Sequence, residues 1–133
     1  NYFVSVKHRN HLGAMSAGTC ALGPQAAGLD LTHPGIPTYG TDGRKPVGGR
    51  MTLWPGDVTF NGQVKYTGTG NDRDPILISV GSFTPNVTIT GYRQEDLNLD
   101  GVVKYTGSAN DRDPILVTVG GTVPTNVRMA QLP

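Results

Sequence analysis

Residues 61–81 read NGQVKYTGTGNDRDPILISVG, and residues 100–120 read DGVVKYTGSANDRDPILVTVG. The two stretches agree at 15 of 21 aligned positions. Self-similarity of this kind marks one supersecondary unit used in tandem, so the unit's shared chemistry is the place to look for function. In each copy, oxygen-bearing side chains gather around a glycine. That is the pattern of a metal loop, not of an enzyme's active site.

The second copy is the cleaner one. Asp96, Asn98 and Asp100 alternate and are followed by Gly101, Val102 and Val103. This is D-x-N-x-D-G-x-V, the front half of an EF-hand-type calcium loop: positions 1, 3 and 5 supply side-chain ligands, the glycine makes the sharp turn, and Val102 offers its backbone carbonyl. Val103 is expected to turn inward onto the core. The first copy carries Asp57, Thr59, Asn61, Gly62, Gln63 and Val64 in the same places. It has one carboxylate at positions 1, 3 and 5 where the second copy has two, which predicts weaker binding. At position 12, where a standard loop holds a bidentate carboxylate, stand Gly68 and Gly107. The acids come later, at Asp72 and Asp74 and at Asp111 and Asp113, after a bulge over residues 66–70 and 105–109. The expectation is two Ca²⁺ sites, the second tighter. One is built from Asp57, Thr59, Asn61, Gln63, Asp72 and Asp74, the other from Asp96, Asn98, Asp100, Val102, Asp111 and Asp113.

After the acids comes Asp-Pro-Ile-Leu-x-x-Val-Gly. Proline is tolerated in a helix's first turn, Asn or Asp before it caps, and Gly81 or Gly120 ends the helix. Ile76, Leu77 and Val80, like Ile115, Leu116 and Val119, then form one apolar face. A strand is the competing reading, because both runs are rich in β-branched residues. A helix is preferred, since a loop followed by a helix is what the calcium pattern calls for. The two short helices are expected to pack about an approximate twofold axis, with Tyr66 and Tyr105 packing across the bulges.

Two loop-plus-helix units in tandem resemble the dockerin type I repeat, a half-EF-hand module. The longer string VKYTG-x-x-NDRDPIL-x-x-VGG-x-VPTNVR, closed by QLP, is similar to a C-terminal region of large secreted proteins of Bacteroidota. There YF-V-x-V-x-HRNHLG-x-M precedes the repeats, as residues 2–15 do here. The resemblance covers essentially the whole chain. It implies an extracellular or cell-surface, calcium-binding, non-catalytic region at the end of a long chain, with residues 2–7 the last piece of an upstream β-domain.

The 133 residues suffice to bury roughly two-thirds of the chain's surface. Nineteen Gly and ten Pro favour short strands and turns over long helices. A formal charge of +1 gives no electrostatic case for nucleic acid or a membrane surface, and no apolar run reaches transmembrane length. Cys20 is the one cysteine, so no disulfide forms within the chain and calcium becomes the expected staple. Asn86-Val87-Thr88 is an N-glycosylation sequon. The chain opens in mid-strand with no signal peptide in view, which suggests a processed or excerpted C-terminal piece whose export signal lies upstream.

The expected fold is mixed, mainly β and irregular. Residues 1–54 form a β-rich segment, with strands at 2–7, 19–22 and 28–32. Residues 55–133 form a dockerin-like pair of calcium loop-plus-short-helix repeats, at about 57–81 and 96–120, with a linker strand at 86–90 and a tail. The β-part has too few strands to close a sheet. Residues 2–7 put Tyr2, Val4 and Val6 on one face and Phe3 on the other, which suits a strand added to another chain's sheet. The expected role is a non-enzymatic assembly module that self-associates into a fibre or array. The alternatives are a docking domain for a protein partner, or an adhesin or carbohydrate-binding module. His8 and His11 form H-x-x-H, but with no third ligand they read as surface or turn histidines, not zinc ligands. Gly48-Gly49 reads as a turn.

Overall fold

The computed structural model describes residues 1–25 and 28–133; Ala26 and Ala27, between two expected strands, lie outside the described residues. The chain divides into two compact units. One comprises Asn1–His8, Gly13–Trp54 and Ala130–Pro133, and the other Arg9–Leu12 and Pro55–Met129.

β1 (Ser5–His8) pairs with β2 (His11–Met15), whose first two residues belong to the second unit, and within the first unit β3 (Lys45–Val47) pairs antiparallel with β4 (Arg50–Thr52). The β3–β4 turn is Gly48-Gly49, with φ of 54° and 79°. A two-residue hairpin turn that needs positive φ at both positions selects glycine. The expected strand at 19–22 reduces to a single bridge between Cys20 and Tyr2, and 28–32 is not a strand. Buried Arg44 organises that region instead, donating to the carbonyls of Leu31, His33 and Ile36. A guanidinium with its donors fanned out can gather several loop carbonyls that no ladder satisfies.

The second unit corrects the expectation of two loop-plus-helix repeats. Each copy runs through a loop, a strand, a bulge, a helix, a turn and a second strand. The first copy supplies β5 (Gln63–Lys65), α1 (Arg73–Ser79) and β6 (Thr88–Thr90). The second supplies β7 (Val102–Lys104), α2 (Arg112–Thr118) and β8 (Val127–Met129). The pairing is reciprocal: β5 pairs antiparallel with β8, and β7 with β6. The strand that leaves each loop is thus completed by, or completes, a strand that trails a helix, and β5 takes its partner from the other copy's end. The fold is therefore a set of two-stranded sheets of short strands with two seven-residue helices, not a dockerin-like pair. The physical reason lies in Val64 and Val103, both fully buried at the middle of their strands. A strand centred on a buried valine must satisfy its backbone groups with a ladder partner, and a lone loop-plus-helix unit has none to offer.

The core of this unit is Leu12, Val58, Val64, Ile76, Val80, Leu97, Val103, Ile115 and Val119. Each such side chain contributes about 1.5–3 kcal/mol when fully buried. The helices touch each other. Ile76 and Ile115 are their buried residues, while Leu77 and Leu116 are half-buried. No helix among the described residues is long and apolar enough to cross a membrane.

Candidate metal centre

Each residue of the duplicated Asn-Asp-Arg-Asp string has a distinct task. Asn71 Oδ1 accepts the amides of Arg73 and Asp74 (3.1 and 2.9 Å), and Asn110 Oδ1 accepts that of Asp113 (2.9 Å). The asparagine therefore satisfies the orphan N–H groups of the helix start. Pro75 and Pro114 sit within that first turn, where no intrahelical donor is needed. Arg73 lies over Tyr66 at 5.2 Å and Arg112 over Tyr105 at 5.4 Å. Each tyrosine thus packs under its own copy's arginine. Asp74 and Asp113 accept hydrogen bonds from the Asn71 and Asn110 amides (both 2.8 Å) and pair with Arg73 and Arg112. Half-exposed, these two acids are committed to the helix starts.

Asp72 and Asp111 turn the other way and are fully buried. Asp72 Oδ1 accepts the Thr59 amide and hydroxyl (3.0 Å each), and its Oδ2 accepts the Lys65 amide (2.8 Å). Asp111 Oδ1 accepts the amides of Leu97 and Asn98 (2.7 and 3.2 Å), and its Oδ2 that of Lys104 (2.8 Å). Each carboxylate thus ties the loop's first residues to the strand that leaves it. The insertion that displaces the acid from position 12 closes with a backbone bond to that strand: the amides of Asp72 and Asp111 donate to the Lys65 and Lys104 carbonyls (2.9 Å each).

The loop fronts are held by side chains accepting amides a few residues on. Asp57 accepts from Asn61 and Gly62 (2.9 and 3.0 Å), and Asn61 Oδ1 from Gln63 (2.9 Å). In the second loop, Asp96 Oδ2 accepts from Gly101 (3.0 Å), Asn98 Oδ1 from Asp100 (2.9 Å), and Asp100 Oδ1 from Val102 (2.9 Å). These turns need Gly62 and Gly101 at φ of 79° and 86°.

Electrostatics separates the loops. Asp96 is 3% exposed, and its Oδ1 is buried without a hydrogen-bond partner. Burial pushes the Asp111 carboxyl above the ordinary carboxylate range against the opposing amides of Lys104, Asn98 and Leu97, and the charge of Asp96 adds to the rise. Burial likewise raises Asp57, and it raises Asp72 with a further push from Asp57. In sequence the second loop carries three acids outside its helix start, Asp96, Asp100 and Asp111, and the first carries two, Asp57 and Asp72. Among the described residues no three His, Cys, Asp or Glu side chains make a metal cage by themselves. A cation in the second loop would draw on carboxylates, an amide oxygen and backbone carbonyls together, the donor mixture hard Ca²⁺ takes. An unpartnered buried carboxylate oxygen beside a second buried carboxylate fits such an ion.

Comparisons with protein-family models, with curated proteins and with solved structures found no match. The sequence pattern passed over the residues that brace the loops. Arg9 stacks over Tyr92 at 4.0 Å and donates to the Arg93 carbonyl (3.0 Å), and Asn10 beside it is fully buried. Their one visible signal is an Arg-Asn pair between two strands, where Asn is a favoured turn residue. His11, next in line, places Nδ1 2.7 Å from Asn10 Oδ1.

Proposed function

We propose that the second unit is a calcium-stapled, non-enzymatic structural module of an extracellular chain. The observation that carries this reading is the buried, unpartnered Asp96 Oδ1 beside Asp111, in a loop already folded by its own side chains. The Arg9 guanidinium lies 3.9 Å from Asp96 Oδ2 while Oδ1 has no hydrogen bond; calcium would add positive charge at that oxygen, and the chain's oxygens would hold and orient it. Affinities of about 10⁻⁴–10⁻³ M are expected, as for extracellular modules. The second loop is the tighter, having one more carboxylate. Calorimetric titration with CaCl2 tests this: heat from two sites and a melting temperature lowered by EDTA are expected. Asp96→Ala should cost more affinity than Thr59→Ala. No heat at millimolar calcium, together with melting indifferent to EDTA, sinks the proposal.

The same reading includes self-association through β1. In its two-stranded sheet β1 has a partner on one edge, and Tyr2, Phe3 and Val6 are 63%, 56% and 44% exposed. An outer strand of a two-stranded sheet, flanked by exposed aromatic and branched side chains, supports addition of a strand from a second copy. Deleting residues 1–7 is expected to abolish association in light scattering while calcium binding persists. Association that survives the deletion removes β1 from the account.

A further inference from the structure

Asn10 is fully buried in the second unit and bonds to the starts of both loops. Its carbonyl accepts the amide of Gly56 (3.0 Å), the residue before Asp57. Its side-chain amide donates to the carbonyls of Gln94 and Asp96 (2.7 Å each). Gln94 in turn donates its side-chain amide to the carbonyl of Val58, the residue after Asp57. Asp57 is thus flanked on both sides, and Asp96 held directly, by one connected set of hydrogen bonds. The strands tie each loop to the other copy but not directly to the other loop, because β5 pairs with β8 and β7 with β6 and not with each other.

We propose that Asn10 is a positioning residue that couples the two cation sites, so that filling one strengthens the other. The proposal rests on the calcium reading above. A cation in the second loop fixes Asp96 and its carbonyl. That carbonyl fixes the Asn10 amide, and the Asn10 carbonyl then holds Gly56 and the start of the first loop. A frame ordered by the first cation does not have to be ordered again by the second, which is positive cooperativity without a new contact. A connected network built on the fully buried Asn10 side chain suits this role, since displacing one member leaves others unsatisfied.

The test is calorimetric titration of the full chain with CaCl2, comparing Asp100→Ala with the unaltered second loop, in two backgrounds, Asn10 and Asn10→Ala. With Asn10 present, Asp100→Ala should weaken calcium at the first loop about fivefold or more, the low end of usual coupling. With Asn10→Ala, the first loop should no longer respond. An equal response in both backgrounds, or none with Asn10 present, overturns the coupling while leaving calcium binding intact. Absence of calcium heat from the unaltered chain overturns both proposals. If Asn10→Ala does not fold, Gln94→Ala, which removes the bond to Val58, should reduce the coupling, and undiminished coupling there overturns it. A second readout needs no metal. In EDTA, Asn10→Ala or Gln94→Ala should speed hydrogen exchange at both Gly62 and Gly101, whose amides Asp57 and Asp96 hold. Acceleration confined to one loop overturns the proposal.

Discussion

Ala109 and Ser82 stand in left-handed backbone, with φ of 54° and 49°, where the other copy has Gly70 at 69° and Gly121 at 75°. The duplication therefore supplies its own control: each copy uses glycine at one of two positions and tolerates strain at the other. A left-handed placement costs a non-glycine residue about 1–2 kcal/mol, and glycine's greater freedom in the unfolded chain returns about 0.5–1 kcal/mol. Ala109→Gly and Ser82→Gly should each stabilise the chain by about 0.5–1 kcal/mol, read as a raised urea midpoint at unchanged slope. A lowered midpoint would mean that these side chains make compensating contacts. Phe60 and Leu99 share the left-handed region at 54° and 64°, yet neither copy uses glycine there. Both sit at the fourth loop position, between candidate ligands, where strain of about 1–3 kcal/mol tends to persist at functional sites. At this scale the sequence was legible wherever the chemistry is local. The alternation of Asp96, Asn98, Asp100 and Gly101 reads as a curled loop because each side chain bonds an amide two to five residues away. Asp74 and Asp113 bond to the helix starts while Asp72 and Asp111 bond to the loops, a division invisible beforehand because nothing in the string says which of two nearby acids faces which way.

The helices and strands of the second unit depend on one another across the duplication. β5 of the first copy is completed by β8, which follows the second copy's helix, and Arg128 on β8 donates to the Thr118 carbonyl at the end of α2 (2.8 Å). Thr118 in turn donates its hydroxyl to the Pro55 carbonyl ahead of the first loop (2.7 Å). The two copies are therefore expected to melt together. Ile76→Ala and Ile115→Ala, each truncating a fully buried helix residue, should each cost about 2–5 kcal/mol and lower a single transition of the whole unit. Calorimetry showing two transitions, with one mutation moving only one of them, would count against this dependence. The helices were legible from the Asp-Pro start, the apolar spacing and the terminal glycine, even though β-branched residues argued for strands. Packing of Ile76 and Ile115 outweighed that propensity, as tertiary context commonly does. The strand exchange was not legible. Two near-identical loops offer near-identical edges, and the choice of partner is set by the path of the connecting segments.

For the chain as a whole, the buried carboxylates make stability depend on pH with a sign that calcium should reverse. Arg44 and Asn10 show why so little of this was visible beforehand. Each is an ordinary polar residue in sequence, and its task follows only from which carbonyls the folded chain brings to it. Asp57, Asp72 and Asp111 are all raised by burial above the ordinary carboxylate value of 3.8. A carboxyl raised in the folded state binds more protons there than in the unfolded chain. Its contribution in the metal-free chain is therefore present at low pH and is lost as pH rises from 3.8 through the raised values. Calcium needs the same groups ionised, so acidification through that window displaces the ion and removes its stabilisation. Melting temperatures measured from neutral pH down to about pH 4, in EDTA and in saturating CaCl2, should converge as the acid end is approached. The gap between them isolates the loop carboxylates from every other titrating group, because those groups are common to both curves. A gap that stays constant over the whole range would mean that the ion is not held by these carboxylates. A gap that widens toward acid would mean that protons and calcium do not compete for them at all.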